Sequence, residues 1–303
     1  MQQRSALDGR ASGMMLVLCA IWGLQQVAIK AIASDIAPIL QIGVRSGVAA
    51  LLVAAVMFWR REQPKAGQTA WLPGLAIGGL FGLEYLLVGE GLRHTSASHM
   101  VIFLYTSPIF AALGLHWKLP AERLKPAQWG GIAVAFLGIV VAFSGHGGAS
   151  TLLGDALGLA AGAAWGATTV VVRTTRLSSA PASQTLLYQL VGACVLLVAA
   201  ALVLHQASVN VTPTVIANLT YQVLVMSFAS LLAWFWLLRN YLASRLGVLA
   251  FLTPLYGIGF GVWLLDEPLE ANFLVGAALV TAGILCVSGY EWFSQRQARA
   301  AKA

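Results

Sequence analysis

The sequence predicts an all-α membrane protein with ten transmembrane helices, arranged as two five-helix repeats of inverted topology. Three observations carry this prediction: an apolar composition, ten apolar segments of membrane-spanning length, and a pattern that recurs in the second half of the chain. Hydrophobic residues occupy 59% of the 303 positions and charged residues only 10%, and the mean hydropathy is +0.80. Soluble domains are far less apolar, so we expect the chain to cross a membrane repeatedly.

Prolines, glycines and short polar turns separate the ten apolar segments. Each is about 17 to 24 residues long, enough for a helix to cross the hydrocarbon core of a bilayer. They are predicted at residues 12–32, 38–58, 69–92, 97–117, 126–143, 154–172, 183–204, 218–241, 246–264 and 271–290. The predicted organisation is a cytoplasmic N-terminus (1–11), a first repeat (12–143), a periplasmic linker (144–153), a second repeat (154–290) and a cytoplasmic tail (291–303).

The internal repeat is clearest around the last helix of each half. Segments 119–140 and 264–285 align without a gap and share seven of 22 positions. Further matches upstream keep almost the same offset: Trp22-Gly23 with Trp165-Gly166, Pro108 with Pro254, and Trp117 with Trp263. A near-constant offset over many positions is typical of an internal duplication.

The positive charges predict how the helices are oriented. With the N-terminus in the cytoplasm, all of the 18 lysines and arginines except Lys30, Arg45 and Arg93 fall in or beside cytoplasmic segments, as the positive-inside rule requires. Both termini are therefore predicted to be cytoplasmic. Five helices per half invert the second half, and the matching turns differ accordingly: the turn after Lys118 is basic, whereas the turn around Glu267 is acidic.

These motifs resemble the EamA family of the drug/metabolite transporter superfamily, which includes bacterial amino-acid exporters. The resemblance rests on the Trp-Gly pair in the first helix of each half, the proline in helices four and nine, and the 264–285 segment. It covers about residues 12–290. It implies ten helices in two inverted repeats and export of small metabolites, amino acids prominent among them, across a bacterial inner membrane. The motifs are structural and do not specify a substrate.

Pro108 and Pro254 are predicted near the middle of helices four and nine. Each removes a hydrogen bond to the carbonyl four residues earlier, so we expect a kink that serves as a hinge or widens a cavity; packing alone is the alternative. Glycines at every fourth position on several helices allow close backbone approach. We favour a role for these glycines in static helix packing over a role in letting helices slide past each other during transport.

Arg45 and Glu84 are predicted deep in the membrane, where ionisable groups tend to be functional. Their depths match, so they pair across the outer half of the cavity, bind the carboxylate and ammonium of a zwitterion, or form a structural ion pair between adjacent helices. His99 and His116 lie near predicted helix ends, where we expect a solvated role. Aromatic and amide side chains complete the predicted substrate cavity: Trp22, Gln25, Tyr85, Tyr105, Trp165, Tyr188, Trp234 and Tyr256.

The predicted function is export of small metabolites, most of all amino acids including aromatic ones, by alternating access through a cavity between the repeats. Efflux of drugs or cationic compounds is the alternative, favoured if Glu84 lines the cavity without Arg45. The sequence contains no nucleotide-binding loop, catalytic motif or metal-ligand cluster, so no enzyme activity, cofactor or metal is expected. A nucleic-acid partner is not expected either. The expected partners are a small-molecule substrate and the bilayer, with coupling to protons and the oligomeric state left open.

Overall fold

The computed structural model describes residues 9–62, 71–120, 123–144, 151–241, 246, 249–250 and 252–300, which are almost entirely helical. The helices in order are α1 (Gly9–Ala31), α2 (Pro38–Trp59), α3 (Trp71–Gly91), α4 (Ala97–Leu104), α5 (Ser107–Lys118), α6 (Pro126–Ser144), α7 (Leu152–Thr174), α8 (Ala182–Val203), α9 (Pro213–Tyr221), α10 (Ser230–Asn240), α11 (Thr253–Leu265) and α12 (Ala271–Ala300). A 3-10 turn (Arg176–Ser179) precedes α8, and a π-helix (Gln222–Ala229) joins α9 to α10. Parts of the predicted termini and linker, residues 1–8, 145–150 and 301–303, lie outside the described residues.

Within these ranges, seven helical stretches are long and apolar enough to cross a membrane, and three shorter apolar helices accompany them. The α4–α5 pair counts as one stretch, and α9 continues through the π-helix into α10 as another. The chain is therefore an all-helical, multi-pass membrane protein. The total of ten spans stays a prediction, because the apolar stretches Pro126–Ala142, Thr253–Leu265 and Ala271–Cys286 have only 10–17 residues each and a bilayer needs about 20.

The eighth predicted segment begins earlier than expected. Its start was predicted at residue 218, but α9 begins at Pro213. Thr212 caps this helix by accepting the backbone N–H of Val215 at 3.2 Å. Proline is favoured in a first helical turn because its missing N–H would have no partner there. Pro213, expected in a loop, therefore starts the helix.

Neither Pro108 nor Pro254 lies inside a continuous helix. Helix α4 ends at Leu104 and Pro108 occupies the first turn of α5, while Pro254 occupies the first turn of α11. Each proline therefore lies in the first turn of a helix that follows a break, and the hinge or cavity role expected of it stays a prediction. In the α4–α5 break, Thr106 donates its hydroxyl to the carbonyl of Phe103 at 2.6 Å, which pairs a carbonyl at the end of α4.

The main helix pairs join the two halves of the chain. Helix α1 packs on α11, α2 and α3 pack on α8, α3 and α5 pack on α7, and α6 packs on α12. Small residues allow this close packing: a side-chain carbon at Gly192 of α8 would collide with the backbone of Gly78 on α3. The two predicted repeats therefore share one interlocked interior.

Glycines matched by the repeat lie where α6 crosses α12. A side-chain carbon at Gly138 would lie 2.6 Å from the backbone nitrogen of Val280, and one at Gly283 would lie 2.5 Å from the carbonyl oxygen of Gly131. Gly131 and Gly138 match Gly276 and Gly283 in the repeat. These shared positions are therefore explained by close contact between the equivalent helices of the two halves.

We predict that Gly138→Val destabilises the folded protein by about 1–3 kcal/mol, because the added side chain forces the α6 and α12 backbones apart. Gly130→Val on the same helix is the matched control, since a side-chain carbon there meets nothing within 4 Å. Thermal unfolding of both purified variants in the same detergent measures the difference. Equal melting temperatures would contradict the assigned contact.

Candidate substrate cavity and polar seal

A cavity of about 700 Å³ is lined by residues of both halves. Its walls come from α1, α2, α3 and the α4–α5 break in the first half, and from α7, α8, the π-helix and α10 in the second. Its lining includes polar and aromatic side chains from both halves: Trp22, Gln25, Gln26, Arg45, Phe81, Glu84, Tyr85, Tyr105, Trp165, Met226, Ser230 and Trp234. A volume of this size is typical of sites for small organic molecules.

Eight of the ten predicted cavity residues line this space, and the exceptions are Tyr188 and Tyr256. The ring of Tyr188 lies against Gly74 of α3, whose lack of a side chain leaves room for it. Tyr256 packs against Gly23 of α1, and its ring stacks on Phe260 with ring centres 6.1 Å apart. Both tyrosines therefore face neighbouring helices. A binding role for the other eight residues stays a prediction.

Arg45 and Glu84 both line the cavity, each only 3% exposed, but they do not pair. One guanidinium nitrogen of Arg45 lies 3.4 Å from the amide oxygen of Gln222 and 3.9 Å from the sulfur of Met226. The guanidinium carbon lies 5.1 Å from the centre of the Tyr85 ring. Among the described residues, Oε2 of Glu84 accepts no hydrogen bond and no ion pair joins it to Arg45. The interpretation as a structural ion pair is therefore wrong for this conformation.

Two aromatic pairs cross between the halves at the cavity. The rings of Trp22 and Trp234 meet edge to face with centres 5.5 Å apart, and those of Tyr105 and Trp165 do so at 5.4 Å. The indole N–H of Trp22 also donates to the hydroxyl of Ser230 at 3.2 Å. Trp22 and Trp165, equivalent in the repeat, thus each contact an aromatic ring of the opposite half. Such pairs supply rigid apolar surface with polar edges.

Two candidate site residues were not predicted from the sequence: Gln26, which lines the cavity, and Gln222, whose amide oxygen contacts Arg45. Gln26 is 2% exposed, and its Oε1 has no hydrogen-bond partner in the part of the chain that the structure describes. Gln222 lies in the π-helix, where it contacts Arg45 and donates to Gln41 at 3.1 Å and Asn218 at 2.8 Å. An amide inside an apolar segment is itself a usable signal, because an unpaired amide is costly in hydrocarbon. Single π-helical turns also occur frequently at functional sites.

The cavity reaches the protein surface at the junction of α7 and α8, which we call the mouth. Exposed residues line it there: Arg173, Ser178 and Ala182. Asp155, near the start of α7, lies about 27 Å from Arg173 along the helix axis at 1.5 Å per residue. The mouth and Asp155 are therefore at opposite ends of the molecule.

A polar cluster, which we call the polar seal, lies at the end opposite the mouth; it consists of the partly exposed Lys30 and the buried Thr95, Ser98, His99, Asp155 and Glu267. Oε1 of Glu267 accepts the backbone N–H of Ala97 at 2.6 Å. Its Oε2 accepts the N–H and the hydroxyl of Ser98 at 3.0 and 2.7 Å. These N–H groups belong to the first turn of α4, which is the positive end of its dipole. Lys30 lies 3.9 Å from the same carboxylate and donates to the carbonyl of Thr95.

The second part of the polar seal is a buried histidine–aspartate pair. Nδ1 of His99 lies 2.9 Å from Oδ2 of Asp155, and the hydroxyl of Thr95 donates to Oδ1 of Asp155 at 2.5 Å. The imidazole stacks on the ring of Phe273 with centres 3.9 Å apart. The expectation of a solvated His99 is therefore wrong, because the start of α4 is covered by the opposite half. His116 at the end of α5 is half-buried.

A multi-pass helical chain whose two halves enclose a central cavity has the architecture of a membrane transporter. The EamA-like transporter family matches residues 10–144 and again residues 152–289. The chain therefore belongs to the EamA-like transporter family, with one match in each half.

Relatives and a solved structure extend over nearly the whole chain. The chain is 24% identical to the uncharacterized transporter YoaV of Bacillus subtilis over 268 residues, which is 87% of this chain and 91% of YoaV. It is 28% identical to a protein of Escherichia coli named "Probable amino-acid metabolite efflux pump", over 91% of this chain and 94% of that protein. A crystal structure at 19% sequence identity aligns over 92% of this chain and 97% of its own with a TM-score of 0.62, so the two share a fold.

We predict that Glu267→Ala lowers the free energy of unfolding by about 1–3 kcal/mol, because it leaves the N–H groups of Ala97 and Ser98 buried without their acceptor. Glu270→Ala is the matched control, since Oε1 of Glu270 accepts no hydrogen bond from the described residues. Thermal unfolding of the two variants in one detergent is the measurement. If both melt at the same temperature, the Glu267 carboxylate does not hold α4 in place.

Proposed function

We propose that this transporter exports small zwitterionic metabolites, above all amino acids including aromatic ones, by alternating access. The observation that carries the proposal is that Arg45 and Glu84 line one cavity between the halves without pairing with each other. The name of the Escherichia coli relative, an amino-acid metabolite efflux pump, agrees with this substrate class.

A zwitterion would satisfy both buried charges at once. Its carboxylate would accept hydrogen bonds from Arg45, which forms no ion pair among the described residues and contacts the Gln222 amide at 3.4 Å, the sulfur of Met226 and the Tyr85 side chain. Its ammonium would donate to Oε2 of Glu84 and Oε1 of Gln26, which accept no hydrogen bonds from the described residues. Unpaired buried charges are costly and charge-assisted hydrogen bonds are strong. Binding a molecule that carries both charges is therefore favoured over binding one that carries a single charge.

The aromatic walls would hold the substrate's side chain. Trp22 with Trp234, and Tyr105 with Trp165, present large rings from both halves to the cavity. Aromatic rings accept aliphatic and aromatic groups without requiring one shape. The volume of about 700 Å³ leaves room for an aromatic side chain as well as its backbone atoms.

Efflux of cationic drugs is the second candidate. Such a substrate would pair with Glu84 but would also meet the buried positive charge of Arg45 in the same cavity. Like charges brought together in a desolvated site cost several kcal/mol. The presence of both side chains in the lining therefore favours zwitterions over cations.

We place the mouth in the cytoplasm and the polar seal at the periplasmic face of a bacterial inner membrane. The positive-inside rule supports this placement, because arginines cluster at the mouth end of the helices: Arg60, Arg61, Arg173 and Arg176. Both termini then lie in the cytoplasm. In this orientation the cavity opens inward and is closed outward, which is the state in which an exporter takes up its substrate.

Outward release requires the polar seal to separate and the mouth to close. In our proposal the repeats 12–143 and 154–290 rock against each other, and the backbone bends at the breaks before Pro108 and Pro254. These breaks suit a hinge because the helical hydrogen-bond ladder is interrupted there. The seal has polar groups that water can satisfy when the halves part.

Uptake of radiolabelled amino acids into proteoliposomes that carry the purified full chain tests the substrate class. The panel includes L-phenylalanine, L-tryptophan and L-leucine, each measured with and without an imposed proton gradient. Saturable uptake that the unlabelled amino acid reduces is the expected result, and an effect of the gradient would show coupling to protons. No uptake of any amino acid by folded protein would overturn this assignment and make cationic drugs the next panel.

We predict that Arg45→Gln and Glu84→Gln each lower saturable amino-acid uptake by tenfold or more. Removing one partner of a buried charged contact typically costs about 2–5 kcal/mol, which exceeds a tenfold change. Tyr188→Phe, on a cavity helix but outside the cavity, is the matched control and should transport normally. Uptake by the two charge variants at the control level would exclude both charges from substrate binding.

A further inference from the structure

We propose that the substrate binds with its amino and carboxyl groups toward the polar seal and its side chain toward the mouth, which lets the transporter export amino acids with bulky, extended side chains. This inference deepens the proposed function and rests on its assignment of amino acids as substrates. It adds which end of the molecule the cavity recognises and which end it leaves unrestricted. Three features carry it: the position of the polar groups, their unused acceptors, and the composition of the passage to the mouth.

Helices α2, α3 and α7 each have one end at the polar seal: α2 its start, α3 its end and α7 its start. A side-chain carbon at Gly89 of α3 would lie 2.9 Å from the side chain of Ile39 of α2, and one at Gly91 would lie 3.4 Å from the carbonyl oxygen of Gly154 of α7. Asp155 of the seal directly follows Gly154. Depths measured along these three helices can therefore be compared.

The charged groups of the cavity lie nearer to the seal than the ring of Trp165 does. Arg45 is seven residues after the start of α2 and Glu84 is seven residues before the end of α3, which places both about 10 Å from the seal end at 1.5 Å per residue. On α7, Trp165 lies about 15 Å beyond Asp155, and Arg173 at the mouth lies about 12 Å further by the same rise. The order from seal to mouth is therefore charged groups, aromatic rings and an open passage.

The seal end of the cavity offers hydrogen-bond partners that the protein does not use. Among the described residues, nothing donates to Oε2 of Glu84 or to Oε1 of Gln26, although both residues are buried. Arg45 is held beside them by the amide of Gln222 at 3.4 Å and by the ring of Tyr85. A substrate's ammonium group can donate to the two acceptors while its carboxylate accepts from Arg45. The groups common to all amino acids therefore find their partners at this end.

The passage from the rings to the mouth places little demand on a side chain. Its lining is mostly small or apolar, with two neutral polar residues: Val172, Leu177, Ala180, Ala182, Thr185, Leu186, Gln189 and Leu190. Among the described residues that line this passage, only Arg173 is charged. Apolar walls discriminate weakly between side chains, whereas a site that hydrogen-bonds a group strongly rejects analogues that lack the group. Selectivity is therefore expected at the amino and carboxyl groups and not at the side chain.

The reverse orientation fits the cavity less well. It would place an apolar side chain against Arg45, Glu84 and Gln26, where it could pair with none of them, and unsatisfied buried polar groups are costly. It would also bring the carboxylate to Arg173, which is exposed at the mouth, and exposed ion pairs contribute little. The amino and carboxyl groups of the substrate are therefore assigned to the seal end.

Photocrosslinking with the free amino acid 4-benzoyl-L-phenylalanine tests the orientation directly, because its photoreactive ketone lies at the far end of the side chain. The purified full-length chain is irradiated with this amino acid in lipid nanodiscs, and the adducts are located by digestion and mass spectrometry. We expect adducts within residues 172–190, which excess L-phenylalanine suppresses. Suppressible adducts at Gln26, Arg45 or Glu84 would overturn the orientation. The absence of any suppressible adduct would overturn it too.

Competition with the uptake of labelled L-phenylalanine into proteoliposomes tests the specificity. O-benzyl-L-tyrosine should inhibit at concentrations within about threefold of those of unlabelled L-phenylalanine, because its extra ring lies in the apolar passage. N-acetyl-L-phenylalanine and L-phenylalanine methyl ester each lack one of the two charges, so each should inhibit about tenfold more weakly or worse. The opposite order of inhibition would contradict the inference.

Thr185→Trp narrows the passage, since Thr185 lines its mouth half on α8. We expect this variant to weaken inhibition by O-benzyl-L-tyrosine about fivefold or more relative to inhibition by L-alanine, because the extended side chain then lacks space. Val191→Trp is the matched control, on the same helix but exposed and outside the cavity. An unchanged ratio in folded Thr185→Trp protein would exclude the side chain from the passage. If Thr185→Trp fails to fold, photocrosslinking of the wild type still decides the question.

These experiments separate the inference from the function on which it rests. If folded protein takes up no amino acid and yields no suppressible adduct, the amino-acid assignment fails and the inference fails with it. If L-phenylalanine uptake is saturable but the adducts lie at the seal end, or the blocked analogues inhibit better than O-benzyl-L-tyrosine, the proposed function stands and the binding orientation alone is overturned.

Discussion

The burial of charge in an apolar chain is the constraint on which the rest of this structure depends. Two charged clusters lie within the helical bundle, and they meet the constraint differently. In the polar seal, every acidic group is hydrogen-bonded: Glu267 to the first turn of α4, and Asp155 to Thr95 and His99. In the cavity, by contrast, Oε2 of Glu84 accepts no hydrogen bond from any residue that the structure describes. A cluster whose charged groups are hydrogen-bonded within the protein can hold two helices together. A cluster with an unpaired charged group is suited to binding a charged ligand.

The two kinds of contact between the halves have different consequences for motion. Helices α6 and α12 meet through glycine backbones, where almost any displacement creates a clash or a gap. The polar seal consists of a few directional bonds between groups that water can also satisfy. Separation of the halves at the seal therefore costs less than separation at the α6–α12 crossing. Under the proposed alternating access, we therefore expect the halves to part at the seal end and not at the glycine crossing.

The repeat and the composition predicted most of the architecture, because long apolar segments and a recurring pattern can be recognised directly in the sequence. Long apolar segments are visible one by one, and the recurring glycines are required by contacts between equivalent helices. Eight of ten predicted cavity residues line the cavity, since deep polar and aromatic side chains in a transporter tend to face its interior. Tyr188 and Tyr256 were misplaced because helix rotation depends on neighbouring helices. Periodicity cannot show that a glycine on another helix, here Gly74 or Gly23, makes room for a ring.

The polar seal could not be predicted, because its contacts join residues far apart in the chain. Glu267 and Ser98 are 169 positions apart, and nothing local to either indicates the other. His99 was expected in solvent because it lies near a predicted helix end, and it is buried by contacts with the opposite half, namely Asp155 and Phe273. Pro108 and Pro254 indicated where helices four and nine would be disturbed, but not that each helix would be interrupted there. A proline's effect on a helix depends on whether nearby groups, such as the Thr106 hydroxyl, can pair the carbonyls at a break.

The acidic turn that distinguishes the second repeat from the first has a structural use of its own. Asp266 ends α11 in a left-handed conformation with a φ of 50°, and the next residue, Glu267, reaches the first turn of α4. A lysine or arginine there would face the positive end of the helix dipole and could not accept its N–H groups. The positive-inside rule keeps basic residues away from the outer side of the membrane. In the proposed orientation, Glu267 lies at that outer side, so two repeats of inverted topology could build two different ends for one cavity.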